Sequence, residues 1–274
     1  MKQPSKTMAT TTTTTTTVPP PQLGTTAQAA ATQTTQPDQG PKEPSSILHA
    51  SLSRTPPKII AAQGNYLTTS SGVPILDATG GAAVACIGHN NARVKKAILS
   101  QLDAVGYCYS PFFTTSASEN LASYLTESTH GHMSKVFIVS SGTEAVEAAL
   151  KLARQYFVEI EGPGTQRCHF ISRQQSYHGN TLGSLSVGGH KARKAIYEPL
   201  LAENVSHVSP CYRYRGMRDG ETEGEYVQRL KEELEGEFER VGGNRVIAFV
   251  AETMSGLVSN VLHRVLREAV ELTT

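Results

Sequence analysis

Residues 135–156 read KVFIVSSGTEAVEAALKLARQY. The stretch opens with an apolar run at 136–139, rich in β-branched residues and too short for a helix of its own, which predicts a buried strand. Ser140-Ser141-Gly142-Thr143 breaks the run, and Val146, Leu150, Ala153 and Phe157 then recur at helical spacing. Ser141 and Glu144 have the spacing of a capping box, in which the serine oxygen accepts a first-turn amide and the glutamate reaches back. Glu147 and Lys151 stand four apart with the acid first, a favourable surface pair. The reading is strand, small-residue turn, helix. Such a turn points backbone N–H groups out of the positive end of a helix dipole, and Gly142 has no Cβ to hold an anion away. The same geometry serves equally well as a serine-capped turn with no ligand, and a second stretch decides between the two.

That stretch follows a predicted strand at 168–172, which contains His169, Phe170 and Ile171. At its end stands Ser176-Tyr177-His178-Gly179-Asn180-Thr181. A strand, a crossover helix and a second strand imply parallel pairing. Ligands of open parallel sheets collect at the carboxyl ends of the strands, where both stretches lie. One offers N–H donors for a phosphate. The other offers a flat aromatic side chain to lie over a ring. A phosphate and an aromatic ring together suggest pyridoxal phosphate.

The two motifs, SSGTEAVEAALKLAR at 140–154 and SYHGNTLGSLSVGG at 176–189, resemble those of the class III (ω-type) pyridoxal-phosphate-dependent aminotransferases of fold type I. Shorter matches are ILDATGG at 75–81, the GHN turn at Gly88 and VIAFVAET at 246–253. The resemblance implies an α/β fold: a mainly parallel sheet with flanking helices, the large domain of a fold type I transferase, here incomplete. It implies pyridoxal 5'-phosphate as cofactor, with Ser141, Gly142 and Thr143 around its phosphate. Tyr177 would stack on the pyridine, His178 and Gly179 would shape that wall, and Glu252 would lie beside the cofactor. It also implies transfer of an amino group from an amine or amino acid to a 2-oxo acid, and a homodimer in the full-length form.

Family chemistry further requires a lysine that forms a Schiff base and an aspartate at the pyridine nitrogen. In the family both follow the strand matched by 246–251, and here no lysine follows Lys231 and no aspartate follows Asp219. No catalytic residue is therefore assigned, and the 274-residue chain is expected to be inactive alone, as a truncated product or an incomplete gene model. The alternative is a non-catalytic product that pairs with an intact subunit or fails to fold. The family strand order 3-2-4-5-6-7-1 would here keep strands 1 to 4 only. Strand 1, at 136–139, would have lost its neighbour, and strand 4, at 246–251, would be an apolar edge, an aggregation hazard.

The rest of the chain is read from its residues. Residues 1–53, with Thr10 to Thr17 unbroken and Pro19-Pro20-Pro21 after them, cannot bury enough apolar surface to offset ordering entropy and are expected to be disordered. That tail lacks arginine before Arg54 and any secretory apolar core, so a cytoplasmic location is expected over organelle targeting. Residues 54–105 are expected to be the N-terminal segment of a small domain, and 106–274 a partial large domain. Residues 58–62 open the globular part, a turn and a short strand are expected over Gly72–Asp77, and a helix from Asn91 with Val94, Ile98, Leu102 and Val105 on one face. A second capping box is expected at Ser116 and Glu119. Further on come a strand at 205–208, a Glu-rich helix with Val227, Leu230, Leu234 and Phe238 on one face, and a helix from about Asn260.

Other chemistries fit less well. A net charge of +1 gives no argument for nucleic acid or an acidic membrane. The four cysteines form no C-x-x-C pair, and His130 and His132 lack further spaced ligands, so no metal is expected. The run Gly183-Ser184-Leu185-Ser186-Val187-Gly188 misses the serine-hydrolase elbow because a serine stands where its first glycine belongs. There is no Walker A lysine motif.

Overall fold

The computed structural model describes residues 45–49, 51–255 and 261–262. Most of the Thr- and Pro-rich tail read over 1–53 lies outside the described residues. The chain divides into two units, Met1–Tyr109 and Ser110–Thr274.

In the first unit, β1 (Ile59–Gln63), β2 (Tyr66–Thr69) and β3 (Pro74–Leu76) form an antiparallel meander. Its turns carry Gly64 and Gly72 at positive φ, where glycine has no Cβ to clash. The sequence reading found β3 and the Gly72 turn, and left the residues of β1 unassigned. It missed β2, whose YLTT is extended because a partner strand lies on each side. A short turn, α1 (Gly80–Ala83), follows, and Asp77 accepts from the Gly80 amide at 2.8 Å and pairs with His89 at 2.8 Å. Hydrogen bonds from His89 and Gly80 hold the Asp77 carboxyl below its usual range. Helix α2 (Ala92–Ala104) starts at Asn91, whose side chain accepts from the amides of Arg93 and Val94.

The second unit begins with α3 (Ser116–Ser128). Its cap is Thr115, which accepts from Ser118 N at 3.2 Å, one residue before the expected Ser116. Glu119 turns instead to the Thr114 hydroxyl at 2.7 Å. Helix α4 (Gly142–Glu161) begins at Ser141 as expected. Ser141 Oγ accepts from Glu144 N at 3.2 Å, and the Glu144 carboxylate accepts from Ser140 N at 2.8 Å, one amide further back than the ideal box.

Three parallel strands form the centre of this unit: β4 (His169–Arg173), β5 (Val205–Val208) and β6 (Val246–Val250), in the order β5-β4-β6. This is the 3-2-4 portion of the expected order. Between β4 and β5 lie the short α5 (Leu182–Val187) and α6 (Lys191–Lys194). Between β5 and β6 lie α7 (Arg213–Gly216) and the long α8 (Glu223–Val241), which begins in a Thr222–Glu225 capping box. Ile171 of β4, Val208 of β5 and Val246 of β6 pack against Leu234 and Val241 of α8, with Phe238 and Phe249 at the margin. On the other face of β4, Ser172 donates to Val187 O of α5 at 2.5 Å. The central strand is therefore covered on both faces, as parallel sheets require.

The expected strand at 136–139 is a correction. No ladder forms there, and Phe137 and Ile138 are 77% and 53% exposed. A strand is stabilised by hydrogen bonds to a neighbour, and none of the described strands is adjacent to it. The expected helix from Asn260 is corrected at its two described residues. There β8 (Val261–Leu262) pairs antiparallel with β7 (Met254–Ser255), and the rest lies outside the described residues.

Ile171 is fully buried at the meeting point of the sheet and α8. Ile171→Ala is expected to cost about 2–5 kcal/mol through lost transfer energy and the cavity left behind, read from the urea midpoint at unchanged slope.

Candidate functional site

Ser141, Gly142 and Thr143 begin α4 because small residues tolerate the change from extended to helical backbone there. Among the described residues the amides of Gly142 and Thr143 have no acceptor, as first-turn amides lack an intrahelical partner. A Cβ placed on Gly142 would meet no atom within 4 Å, so the approach to these amides is open.

The loop from Ser176 to Thr181 leaves the carboxyl end of β4 and is fastened at several points. Ser176 Oγ donates to Arg173 O at 2.7 Å and accepts from Gly189 N at 3.1 Å. Asn180 N donates to Thr143 Oγ1 at 3.3 Å. Gly179, at φ +137°, packs so closely that a Cβ there would sit 2.8 Å from Ser184 Cβ and 3.0 Å from Thr143 Oγ1. The loop thus rests directly on the first turn of α4. Tyr177 is two residues from Gly179, at most about 7 Å along the chain. Its amide donates to Glu252 Oε2 at 3.3 Å, which ties the end of β6 to the same loop.

The structure therefore brings Thr143, Tyr177, Gly179 and Glu252 together, with Ser141 and Gly142 on the adjoining turn. The Tyr177 ring is 40% exposed, and the Arg193 guanidinium lies 5.0 Å over its centroid. His178 points the other way, into the protein. It is 8% exposed, and its Nε2 has no hydrogen-bond partner among the described residues. Burial, with a smaller contribution from His207, pushes its imidazole down to about 4. His207 Nε2 lies 3.1 Å from Val187 O and 3.0 Å from Gly188 O, so that nitrogen carries the proton.

Two contacts were not legible in the sequence. Glu147, read there only as a partner for Lys151, turns its carboxylate to α5, and Arg193 had no motif to mark it. Neither residue has a local signal, because each meets its partner across the fold.

Known proteins with similar sequence and fold identify the family. The model of the family "Aminotransferase class-III" matches residues 50–263. An aminotransferase of Gibberella zeae is 46% identical over 210 residues, covering 76% of this chain and 41% of that protein. An uncharacterized aminotransferase of Schizosaccharomyces pombe is 46% identical over 223 residues, covering 81% of this chain and 48% of that one. Among solved structures, an amine transaminase from an uncultivated Pseudomonas species in its PLP-bound form superposes with a TM-score of 0.74 at 29% identity, over 85% of this chain and 53% of that chain. The chain thus spans about half the length of the proteins it matches, and its fold is part of that of the fold type I transaminases. With both motifs in place and the match running through nearly all of the non-repetitive sequence, the chain belongs to the class III aminotransferase family.

Proposed function

We propose that this chain carries the phosphate-gripping and ring-stacking part of a pyridoxal-phosphate-dependent aminotransferase. The whole protein would move an amino group from an amine or amino acid to a 2-oxo acid. The observation that carries this reading is the seating of the Tyr177–Gly179 loop on Thr143, which sets open helix amides within a cofactor's length of an exposed aromatic face.

The residues present fit the group. The first-turn amides at Gly142 and Thr143 suit a phosphate, whose charge the helix dipole favours. The Tyr177 ring, 40% exposed with Arg193 over one face, suits stacking on a flat pyridine ring. Bound there, pyridoxal phosphate would supply an electron sink. The chain's own part is to bind and orient: Ser141 keeps the first turn open by capping it, Gly179 lets the loop close on Thr143, and Glu252 anchors the Tyr177 amide. In the full-length form we infer a homodimer. The cytoplasm is the compartment our reading favours. Among the described residues no helix is long and apolar enough to cross a membrane, and the four cysteines are free. We also infer that residues 54–105 belong to a small domain and 106–274 to the large one.

A second reading, a chain that pairs with an intact subunit or fails to fold alone, is supported by the exposed Phe137 and Ile138 and by β6 at the edge of the described sheet. Co-expression with a full-length homologue followed by size-exclusion chromatography tests it, with co-elution as the expected sign of pairing.

The cofactor reading is tested by titrating the chain with pyridoxal phosphate and following tyrosine fluorescence, the chain having no tryptophan. Tyr177→Ala is expected to weaken binding by about 10-fold, since an aromatic pair contributes ~0.5–1.5 kcal/mol beyond its area. Equal affinities of the variant and the parent chain would refute the stacking role.

A further inference from the structure

Glu147 lies in the second turn of α4, and its carboxylate leaves that helix to meet the start of α5. Glu147 Oε2 accepts from Thr181 Oγ1 at 2.6 Å and from Ser184 N at 3.0 Å. Thr181 is the cap of α5 and Ser184 its third residue, so one carboxylate oxygen serves both the capping hydroxyl and an orphan amide of that helix. Gly183 makes the approach possible, because a Cβ there would overlap the Glu147 carboxylate. One turn earlier on α4 is Thr143, and immediately before Thr181 in the chain is the Tyr177–Asn180 loop. Glu147 therefore joins the helix that presents the phosphate amides to the segment that presents the aromatic face.

We propose that Glu147 is a positioning residue that sets the spacing between the phosphate-gripping turn of α4 and Tyr177. The proposal rests on the cofactor reading above and deepens it. It has a consequence that simple structural support lacks. A ligand that spans both groups should depend on Glu147, whereas an anion that touches only the helix turn should not.

The probes are pyridoxal phosphate, followed by tyrosine fluorescence, and inorganic phosphate, followed by ³¹P line width, both on the full 274-residue chain. Glu147→Ala is expected to weaken pyridoxal phosphate binding at least about 10-fold, the scale of one lost charge-assisted hydrogen bond, with phosphate affinity unchanged within about 2-fold. Glu147→Gln keeps an acceptor oxygen in place and is expected to restore binding to within about 3-fold of the parent chain. Gly183→Ala provides a second route if Glu147→Ala does not fold. It displaces the carboxylate while Glu147 remains, and the same selective loss is expected. Undiminished pyridoxal phosphate affinity in Glu147→Ala or Gly183→Ala would overturn the proposal. So would a parallel fall for both probes that Glu147→Gln does not reverse. If the parent chain binds phosphate but not pyridoxal phosphate, the cofactor reading itself fails and this proposal goes with it.

Discussion

Gly179→Ala is expected to destabilise the second unit by at least about 3 kcal/mol, more than a typical substitution and close to the upper range. Two causes add. At φ +137° the backbone is in a region that side chains rarely adopt, at a cost of roughly 1–3 kcal/mol. The new Cβ would also overlap Ser184 Oγ and lie 3.0 Å from Thr143 Oγ1. Ser184 cannot swing away. It is fully buried, and its hydroxyl accepts from Thr181 N at 3.1 Å. Urea denaturation followed by circular dichroism would show the loss as a lower midpoint. Gly142→Ala is the matching control. A Cβ there has open space, so stability should stay within about 0.5 kcal/mol while pyridoxal phosphate affinity falls. Similar stability losses for the two variants would contradict the packing described at Gly179.

Acid is expected to unfold this chain earlier than its carboxylates alone would. His178 is held down at about 4, against an ordinary value of 6.5, because burial disfavours its charged form. A depressed folded-state value means that the contribution is complete above the unfolded value and is lost as pH falls from 6.5 toward 4. At ~1.4 kcal/mol per unit this amounts to about 3 kcal/mol. His207, pushed down mainly by its own burial, adds a loss of the same sign. The carboxylates act in a lower window. Glu221, held at about 2 chiefly by its hydrogen bonds from Arg229, loses its contribution only as pH falls from 4.5 toward 2. The interval from pH 6.5 to 4.5 therefore isolates the histidines. Urea midpoints across it should fall steeply for the parent chain and much less for His178→Asn, which cannot take up a proton. Identical slopes would mean that His178 is not the group responsible.

The helices and the ends of the candidate site were legible where local physics decides them. The helix from Ser141 announces itself through spacing and cap, and Asn91 and the Glu-rich run at Glu223–Val241 do the same. Parallel pairing of β4 with β5 and β6 followed from the strand order that the family resemblance implies, since the residues alone pointed only to pairing of 136–139 with 168–172. Misreadings fell where the deciding partner is distant or the signal is divided among neighbours. Thr115 and Ser116 are both competent caps, and only the backbone path chooses between them. The run at 136–139 has the composition of a strand, yet with no described strand paired to it there is no ladder for it to join.

By its sequence alone the chain determined its family motifs, the capped start of α4 and the aromatic loop after β4. These depend on residues within a turn or two of one another, whose propensities, caps and spacing act over short range. Only the tertiary structure decided that Thr143 would meet Asn180, that Glu147 would leave its own helix for α5, and that His178 would face inward while Tyr177 faces out. Those outcomes depend on groups more than thirty residues apart finding hydrogen bonds or burial together. Such pairings carry no mark in local sequence, because the free energy that selects them exists only once the strands and helices have packed.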